Sequence, residues 1–355
     1  MEKIRIALIG VGGMGSFHLY SSHAKNPRIE IVALCDIIKE RCVSAAKKLG
    51  RDDIAIYTDY RELIDTEKLD AVDIATPNRM HSIIAVYALE HGLHVFCEKP
   101  DAVSVEEAMK MKEAGERNNR VLMVMRNNRY YENSQYLKSF IRGGGAGEIY
   151  CGRCGWIRRR GIPGKGGWFT TKSESGGGPL IDLGVHMIDL AIWLMGNPKP
   201  VSVSGCTYTK FANDEAESDS ENSKFGDAKS DGTFDVEDLA MGFIRFDNGA
   251  CLQIEFSWAS NIKQEKRFVE LRGTRAGMTW FDNGDAEIYS EEGGKLVDTL
   301  RHVDMCNGHD AALRHFTSIV LDNAERDYVP EQGIDMIKIL EAIYKSAESG
   351  REVVL

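Results

Sequence analysis

KIRIALIGVGGMG, residues 3–15, decides the fold. Its first half is a β-branched, apolar run of the kind that forms a buried strand. Its second half places glycines at 10, 12 and 15, the GxGxxG spacing. That spacing is weak alone. Directly after a strand and at the opening of a helix, it has the context that a dinucleotide-binding loop requires. Gly10 permits the tight turn, Gly12 lets the backbone approach a pyrophosphate, and Gly15 lets helix and strand pack closely. Gly10, Gly12, Gly13, Met14 and Gly15 are therefore expected to face the cofactor, with the helix N-terminus towards its negative charge.

Working outward, IEIVALCD forms the next strand and ends at Asp36. A carboxylate there accepts hydrogen bonds from an adenosine ribose and repels a 2′-phosphate, so NAD is expected in preference to NADP. Lys39 and Arg41 follow closely and keep NADP as the lesser alternative. A cap on the helix starting near Ile37 is the alternative role for Asp36. DAVDIAT, HVFCEK and VLMVM continue as strands, with the helix HSIIAVYALEHG between the first two. Short strands alternating with amphipathic helices imply right-handed crossovers and a parallel, doubly wound sheet.

After about Met125 the pattern changes to successive strands: GEIYCGRCGWI, VSVSGCTYTK, DLAMGFIRFDNGACLQIEFSWAS, KRFVELRGTRAGMTWF and AEIYSEE. The Asn-Gly of RFDNGACL favours a hairpin turn. AALRHFTSIVLDNA and IDMIKILEAIYKSAES are amphipathic helices near the end. The expected organisation is an α/β protein in two parts. Residues 1–124 form a dinucleotide-binding Rossmann domain. Residues 125–355 form an α/β domain with an open, mostly antiparallel sheet, whose last helix packs back on the first domain. The serine-rich acidic segment 213–238 has too few apolar residues to offset its ordering entropy, and a surface loop is expected there. A lid or a subunit contact is its functional alternative.

Hydrophobic residues make up 43% of the 355 and charged residues 28%, a globular balance. The formal net charge of −10 repels a phosphate backbone, so no nucleic-acid partner is expected. No apolar run suggests a membrane span, and MEKIRIALIG lacks the segments of a signal peptide, so a cytoplasmic location is expected. Cys151 and Cys154 form a CxxC, but on a strand positions i and i+3 face opposite ways. Reduced cysteines are expected, without a metal.

Chemistry-bearing residues gather at strand ends. Glu98-Lys99-Pro100 closes one strand, and Thr76, Pro77, Asn78 and His81 follow another. Carboxyl ends of parallel strands line the ligand crevice, so all of these, with Glu98 and Lys99, are expected on the cofactor side. His81 has a structural role at the helix start as its alternative. SGGGPLIDLGVHMIDLAIWL, residues 175–194, is a glycine turn followed by a segment apolar nearly all round. Such a helix belongs inside, yet it carries Asp182, His186 and Asp189. A metal bound by these three is one reading; a catalytic pair with Asp189 in a structural hydrogen bond is the other.

Taken together in order, GVGGMG, TPNRMH, HVFCEKP and GGGPLIDLGVHMIDLAIWLMG resemble the Gfo/Idh/MocA oxidoreductases over nearly the whole chain. The resemblance implies Lys99, Asp182 and His186 as the catalytic residues. It implies hydride transfer between NAD and a secondary hydroxyl of a sugar, glycoside or cyclic polyol, with the pyranose C3 position a recurrent target. It also implies a homo-oligomer, dimer or tetramer, assembled through the second domain's sheet. Arg129, Tyr130, Arg158 and Trp168 are expected on the substrate side. RNNRYYEN lacks a proline that the family often has after the aromatic residue, which bears on substrate identity. An NAD-retaining glycosidase or lyase acting by transient sugar oxidation is one alternative. A cofactor-sensing regulator without catalysis is another, against which the three catalytic residues argue.

Overall fold

The computed structural model describes residues 2–212 and 225–355. The chain divides into two compact units, one of residues 1–125 with 309–334 and one of 126–308 with 335–355. A break was expected after residue 124, with everything beyond it in the second domain. The structure instead returns 309–334 to the first unit. The helix Gly308–Asp322 packs there, with Phe316 fully buried and its ring 5.4 Å from that of Phe96, and the first turn of the last helix joins it, Glu331 pairing with Lys112 at 3.1 Å. Arg28 grips Asp322 with two hydrogen bonds, of 2.6 and 2.8 Å.

In the first unit the strands are β1 (Ile4–Ile9), β2 (Ile29–Cys35), β3 (Ala55–Tyr57), β4 (Ala71–Ile74), β5 (His94–Cys97) and β6 (Leu122–Val124). All pairs are parallel, in the order β3-β2-β1-β4-β5-β6. That is the doubly wound order, with its switch point between β1 and β4. A sheet covered on both faces buries its central strands at every position, as in β4, where the one charged residue, Asp73, is hydrogen-bonded to two histidines. β3, at the sheet edge, is only partly buried and was not legible as a strand.

The second unit carries β7 (Ile149–Ile157), β8 (Pro200–Tyr208), β9 (Leu239–Phe246), β10 (Cys251–Ser257), β11 (Lys266–Gly273), β12 (Gly277–Phe281), β13 (Asp285–Glu292), β14 (Lys295–His302) and β15 (Val353–Val354). They form one sheet in the order β14-β13-β12-β11-β7-β10-β9-β8-β15. Within this sheet, among the described strands, only β7 and β10 pair in parallel. The expected Asn-Gly hairpin joins β9 to β10: Gly249 takes φ +83°, which a side chain would strain, and Ala250 N–H donates to Asn248 Oδ1. Cys154 on β7 is buried, Cys151 is less so, and all eight cysteines are free thiols.

The segment 172–194 is not one regular helix. Residues Lys172–Ser175 end at Gly176 in the left-handed conformation, Leu180–Gly184 form a π-helical turn, and Val185–Leu194 continue as an α-helix. By length and composition alone the stretch Lys172–Leu194 would pass as a membrane span, contrary to expectation, but it is mostly buried inside this unit. Residues 213–224 of the acidic segment lie outside the described residues. Its remainder is exposed over 225–233, as a surface loop is, and is tethered by hydrogen bonds to the loop before Lys172. Lys229 N–H donates to Lys165 O, Thr170 Oγ1 to Thr233 O, and Lys172 N–H to Asp235 Oδ1. A Cβ at Gly166 would lie 1.9 Å from Lys229 O, so glycine is what lets the two loops touch.

Candidate active site

The first unit builds a cofactor cradle at the β1–β4 switch point. Gly10 has φ +93°, and a Cβ there would lie 2.4 Å from Ala75 O. A Cβ at Gly15 would lie 1.8 Å from Gly10 O. These two glycines let the loop, the helix Gly13–Ser21 and β4's end close on one another. Gly12 differs: a Cβ there would meet nothing nearer than Arg41 Nη1 at 3.9 Å. Its bareness opens space at the helix N-terminus, as a pyrophosphate requires. Thr76 Oγ1, beside the loop, is buried with no hydrogen-bond partner. The residues present therefore fit a dinucleotide.

Asp36 serves more than one purpose. Its Oδ2 accepts from Val11 N–H at 2.8 Å, pinning the glycine loop, and its Oδ1 accepts from Ile38 N–H at 2.9 Å at the start of the helix Lys39–Leu49. Arg41 Nη1 stands 3.8 Å from Oδ1. A carboxylate has about four lone-pair sites, so the helix-start bond and a ribose bond are compatible. Calorimetric titration is expected to show NAD(H) binding at least roughly tenfold more tightly than NADP(H), about 1.4 kcal/mol. Asp36→Ala is expected to narrow that ratio. Equal or tighter NADP(H) binding by the wild type overturns the role given to Asp36.

Lys99 follows β5, in a cis Lys99–Pro100 peptide. Behind it runs a buried polar chain that sequence reasoning missed. His18 Nδ1 pairs with Asp73 Oδ2 at 2.9 Å, and His18 Nε2 with Glu98 Oε1 at 2.9 Å. Glu98 Oε2 accepts from Lys99 N–H at 3.0 Å. His23 Nε2 also reaches Asp73 Oδ2, at 2.6 Å, and His309 Nε2 lies 3.9 Å from Glu98 Oε1. Burial opposes charge on His18, but the Asp73 charge and hydrogen bond, then those of Glu98, outweigh it and raise its pKa to about 10. Burial likewise opposes charge on Glu98, yet the bond and charge of His18 hold it down to about 2. Glu98 is thus an ionised brace for the Lys99 backbone. His81 is also a brace. Fully buried, it sets Nδ1 against Pro100 O at 2.8 Å and Nε2 against Thr76 O at 3.0 Å. Both were expected on the cofactor side; the structure shows their side chains buried and bonded to the backbone of the loops after β4 and β5. The one available signal was His18, a single helical turn past Gly15.

The second unit presents Asp182 and His186. From Gly177 to Leu194 only Asp182, His186 and Ile192 keep partial exposure; every other residue is buried. The π-turn sets this. With more residues to the turn and a smaller angular step per residue, it breaks the even arc expected for 182, 186 and 189, and such turns recur at functional sites. Asp182 Oδ2 accepts from the indole Nε1–H of fully buried Trp258 at 2.9 Å. The glycine turn before it is tied down by Glu237, whose carboxylate accepts from Gly178 N–H, Leu180 N–H and the Tyr344 hydroxyl. A Cβ at Gly177 would sit 2.0 Å from Tyr344 Oη, and one at Gly178 2.0 Å from Glu237 O. The GGG run therefore lets the turn lie against a buried carboxylate.

Asp189 faces inward. Its Oδ1 accepts from Arg126 Nε and Arg129 Nη2, and its Oδ2 from Arg129 Nε, all within 2.9 Å. Arg129 is 1% exposed, so it locks the fold and does not face substrate as expected. Removing one partner of such a buried set costs about 3–5 kcal/mol. Asp189 is thereby committed, and the three-ligand metal reading loses a ligand. Tyr130 retains partial exposure in the 3₁₀ turn Asn127–Tyr130, and Trp168 stacks on Phe169 at 3.8 Å. Arg158 lies over the Trp156 ring, whose centroid is 5.9 Å from that of His186.

Residues 4–126 match the family described as oxidoreductase family, NAD-binding Rossmann fold, and residues 134–279 match the GFO/IDH/MocA C-terminal domain. The chain is 33% identical over 356 residues to D-glucoside 3-dehydrogenase of Escherichia coli K12, covering 100% of this chain and 98% of the relative. The chain belongs to the Gfo/Idh/MocA oxidoreductases. Levoglucosan dehydrogenase of Pseudarthrobacter phenanthrenivorans is 29% identical over 290 residues, covering 79% of this chain and 74% of that protein. A solved levoglucosan dehydrogenase in complex with NADH superposes with a TM-score of 0.84 at 24% identity, over 99% of both chains, a likeness of fold. As a Gfo/Idh/MocA oxidoreductase the chain carries an NAD-binding Rossmann domain, and Gly10, Gly12 and Gly15 lie within the matched region.

Proposed function

We propose that this protein oxidises a secondary hydroxyl of a sugar, glycoside or cyclic polyol, with the pyranose C3 hydroxyl as the position to test first. One observation carries the reading. A buried segment brings just two ionisable side chains, Asp182 and His186, to its surface, on a turn held by Glu237 and Trp258. The relative of similar length, named for oxidation of D-glucosides at carbon 3, supports the position.

Oxidising a carbinol removes a hydride from carbon and a proton from oxygen. Bound NAD supplies the hydride acceptor. A ring nitrogen of His186 takes the hydroxyl proton as general base. Asp182, fixed at Oδ2 by Trp258, orients the substrate or the imidazole. Lys99 Nζ stabilises the negative charge that develops on oxygen. Gly12, Gly13, Met14, Thr76, Pro77 and Asn78 line the cofactor. Tyr130 and Trp168 serve the sugar.

The deciding experiment incubates purified protein with glucosides, free sugars and inositols and follows both NADH absorbance and products. A ketosugar with stoichiometric NADH is the expected result. Glycoside cleavage without net NADH assigns the retained-cofactor route instead. No product from any of them leaves the sensing role.

We place the protein in the cytoplasm, a reading supported by its eight free thiols. We further propose a dimer or tetramer assembled through the nine-stranded sheet, which carries Tyr150, Tyr208 and Leu300 at 48, 46 and 61% exposure. Light scattering is expected to give a mass of two or four chains; a monomer overturns this.

A further inference from the structure

Buried charge in the second unit is balanced in one place and left unbalanced in another. Arg126 and Arg129 share Asp189. Arg158 and Arg267 have no such partner: among the described residues no carboxylate forms an ion pair with either, and the Nε of each is buried without a hydrogen-bond partner. Arg158 is 8% exposed, while Arg267 keeps part of its surface.

The two are held together by strand geometry. Arg158 N–H continues the β7 ladder to Ser257 O, two residues past Trp156 and so on the same face. Arg267 on β11 pairs directly with Trp156 on β7. Both guanidiniums therefore lie against one indole, with Cζ 4.9 Å from its centroid for Arg158 and 4.1 Å for Arg267. Their remaining bonds orient them. Arg158 Nη1 donates to Gly161 O at 3.3 Å, and Arg267 Nη2 to Asn128 Oδ1 at 2.7 Å. Asn128 Nδ2 in turn donates to His186 O at 3.2 Å, so Arg267 is one amide away from the backbone of the proposed base.

This arrangement has a cost. Burial depresses the pKa of both arginines, and the charge of Arg158 depresses that of Arg267 further, so the two repel each other. Asp182 and Glu265 temper Arg158 from a distance; for Arg267 the Tyr131 side chain does so by charge and by a hydrogen bond, and Asp282 by charge alone, so no carboxylate pairs directly with either guanidinium. Stacking on an indole offsets only part of what desolvating a cation costs. Buried cations are ordinarily paired, and guanidiniums suit oxyanions because two parallel N–H groups match two oxygens.

We propose that Arg158 and Arg267, flanking Trp156, form a subsite for an oxyanion carried by the substrate, so that the sugar oxidised bears a carboxylate or a phosphate. This rests on the dehydrogenase reading for its sugar, and the test reads binding rather than turnover so that the two stand or fall separately. Calorimetry on the NAD-loaded protein compares methyl glucoside, methyl glucosiduronate and glucose 6-phosphate at low and high salt. At least one anion is expected to bind tenfold or more tightly than the neutral glycoside, with the difference shrinking in salt. The uronate and phosphate arms identify which oxyanion is taken. Arg267→Gln is expected to abolish the preference while leaving neutral binding within about twofold, and Arg267→Lys to restore part of it. Arg158→Gln, judged folded by its melting curve, is the second variant. Equal binding of charged and neutral ligands by the wild type, binding of none, or equal weakening of both by Arg267→Gln overturns the subsite. Absence of NADH formation with an intact anion preference overturns the dehydrogenase reading alone.

Discussion

His186→Asn is expected to slow oxidation about 10²–10⁴-fold, the range for losing a general base. Asn fills similar space and keeps hydrogen-bonding capacity, so the mostly buried helix Val185–Leu194 should persist. The main-chain carbonyl of His186, which accepts from Asn128, is unchanged by the substitution. Single-turnover measurement on NAD-loaded protein isolates hydride transfer from product release. Wild-type oxidation should rise with pH through one ionisation, because only neutral imidazole accepts a proton, and the variant should lose that rise. A slowing of less than about tenfold removes His186 from the role of base. Inactivation by a chelator, reversed by a divalent ion, replaces this mechanism with a metal.

Lys99→Met is expected to lower turnover about 10²–10³-fold, as removal of a donor to a developing oxyanion does. NAD binding should be retained. The reason lies behind the lysine. Glu98 holds the residue through its main-chain N–H, and Glu98 is held by His18, so the backbone position does not depend on the ammonium group. Methionine keeps the length of the stem. Near-wild-type turnover at saturating substrate makes Lys99 structural, while loss of NAD binding makes it a cofactor ligand.

The glycine loop, Asp36 and the alternation of strand and helix were legible because each depends on local chemistry. A glycine at a positive φ, an acid at a strand end and period-2 or period-3.6 patterning are all properties of short segments. The family resemblance added Lys99, Asp182 and His186, and the same residues were conspicuous as polar groups in apolar surroundings. What failed were statements about orientation. Arg129 was expected to meet substrate because it follows the last Rossmann strand; it is consumed by Asp189, sixty positions away. His81 and Glu98 were expected at the cofactor; their side chains bond to the backbone of Pro100 and Lys99, which local spacing could not show.

Charge balance marks the boundary between the two kinds of knowledge. A sequence shows how many arginines, histidines and acids there are; whether a given one is paired depends on which strands become neighbours. Trp156 and Arg267 are 111 positions apart and meet because β7 and β11 pair in register. His18, Asp73 and Glu98 come from three elements of one sheet unit and meet only when that sheet closes. The π-turn belongs here too, since Phe256 packs within 3.1 Å of a Cβ built at Gly184, and that fit exists only once β10 is in place. The sequence by itself determined the doubly wound fold and the dinucleotide cofactor, because those rest on backbone conformation and on local spacing. Tertiary structure alone decided which ionisable groups are neutralised inside and which are left without an ion pair, because the pairing of buried charges is set by contacts between residues distant in the chain.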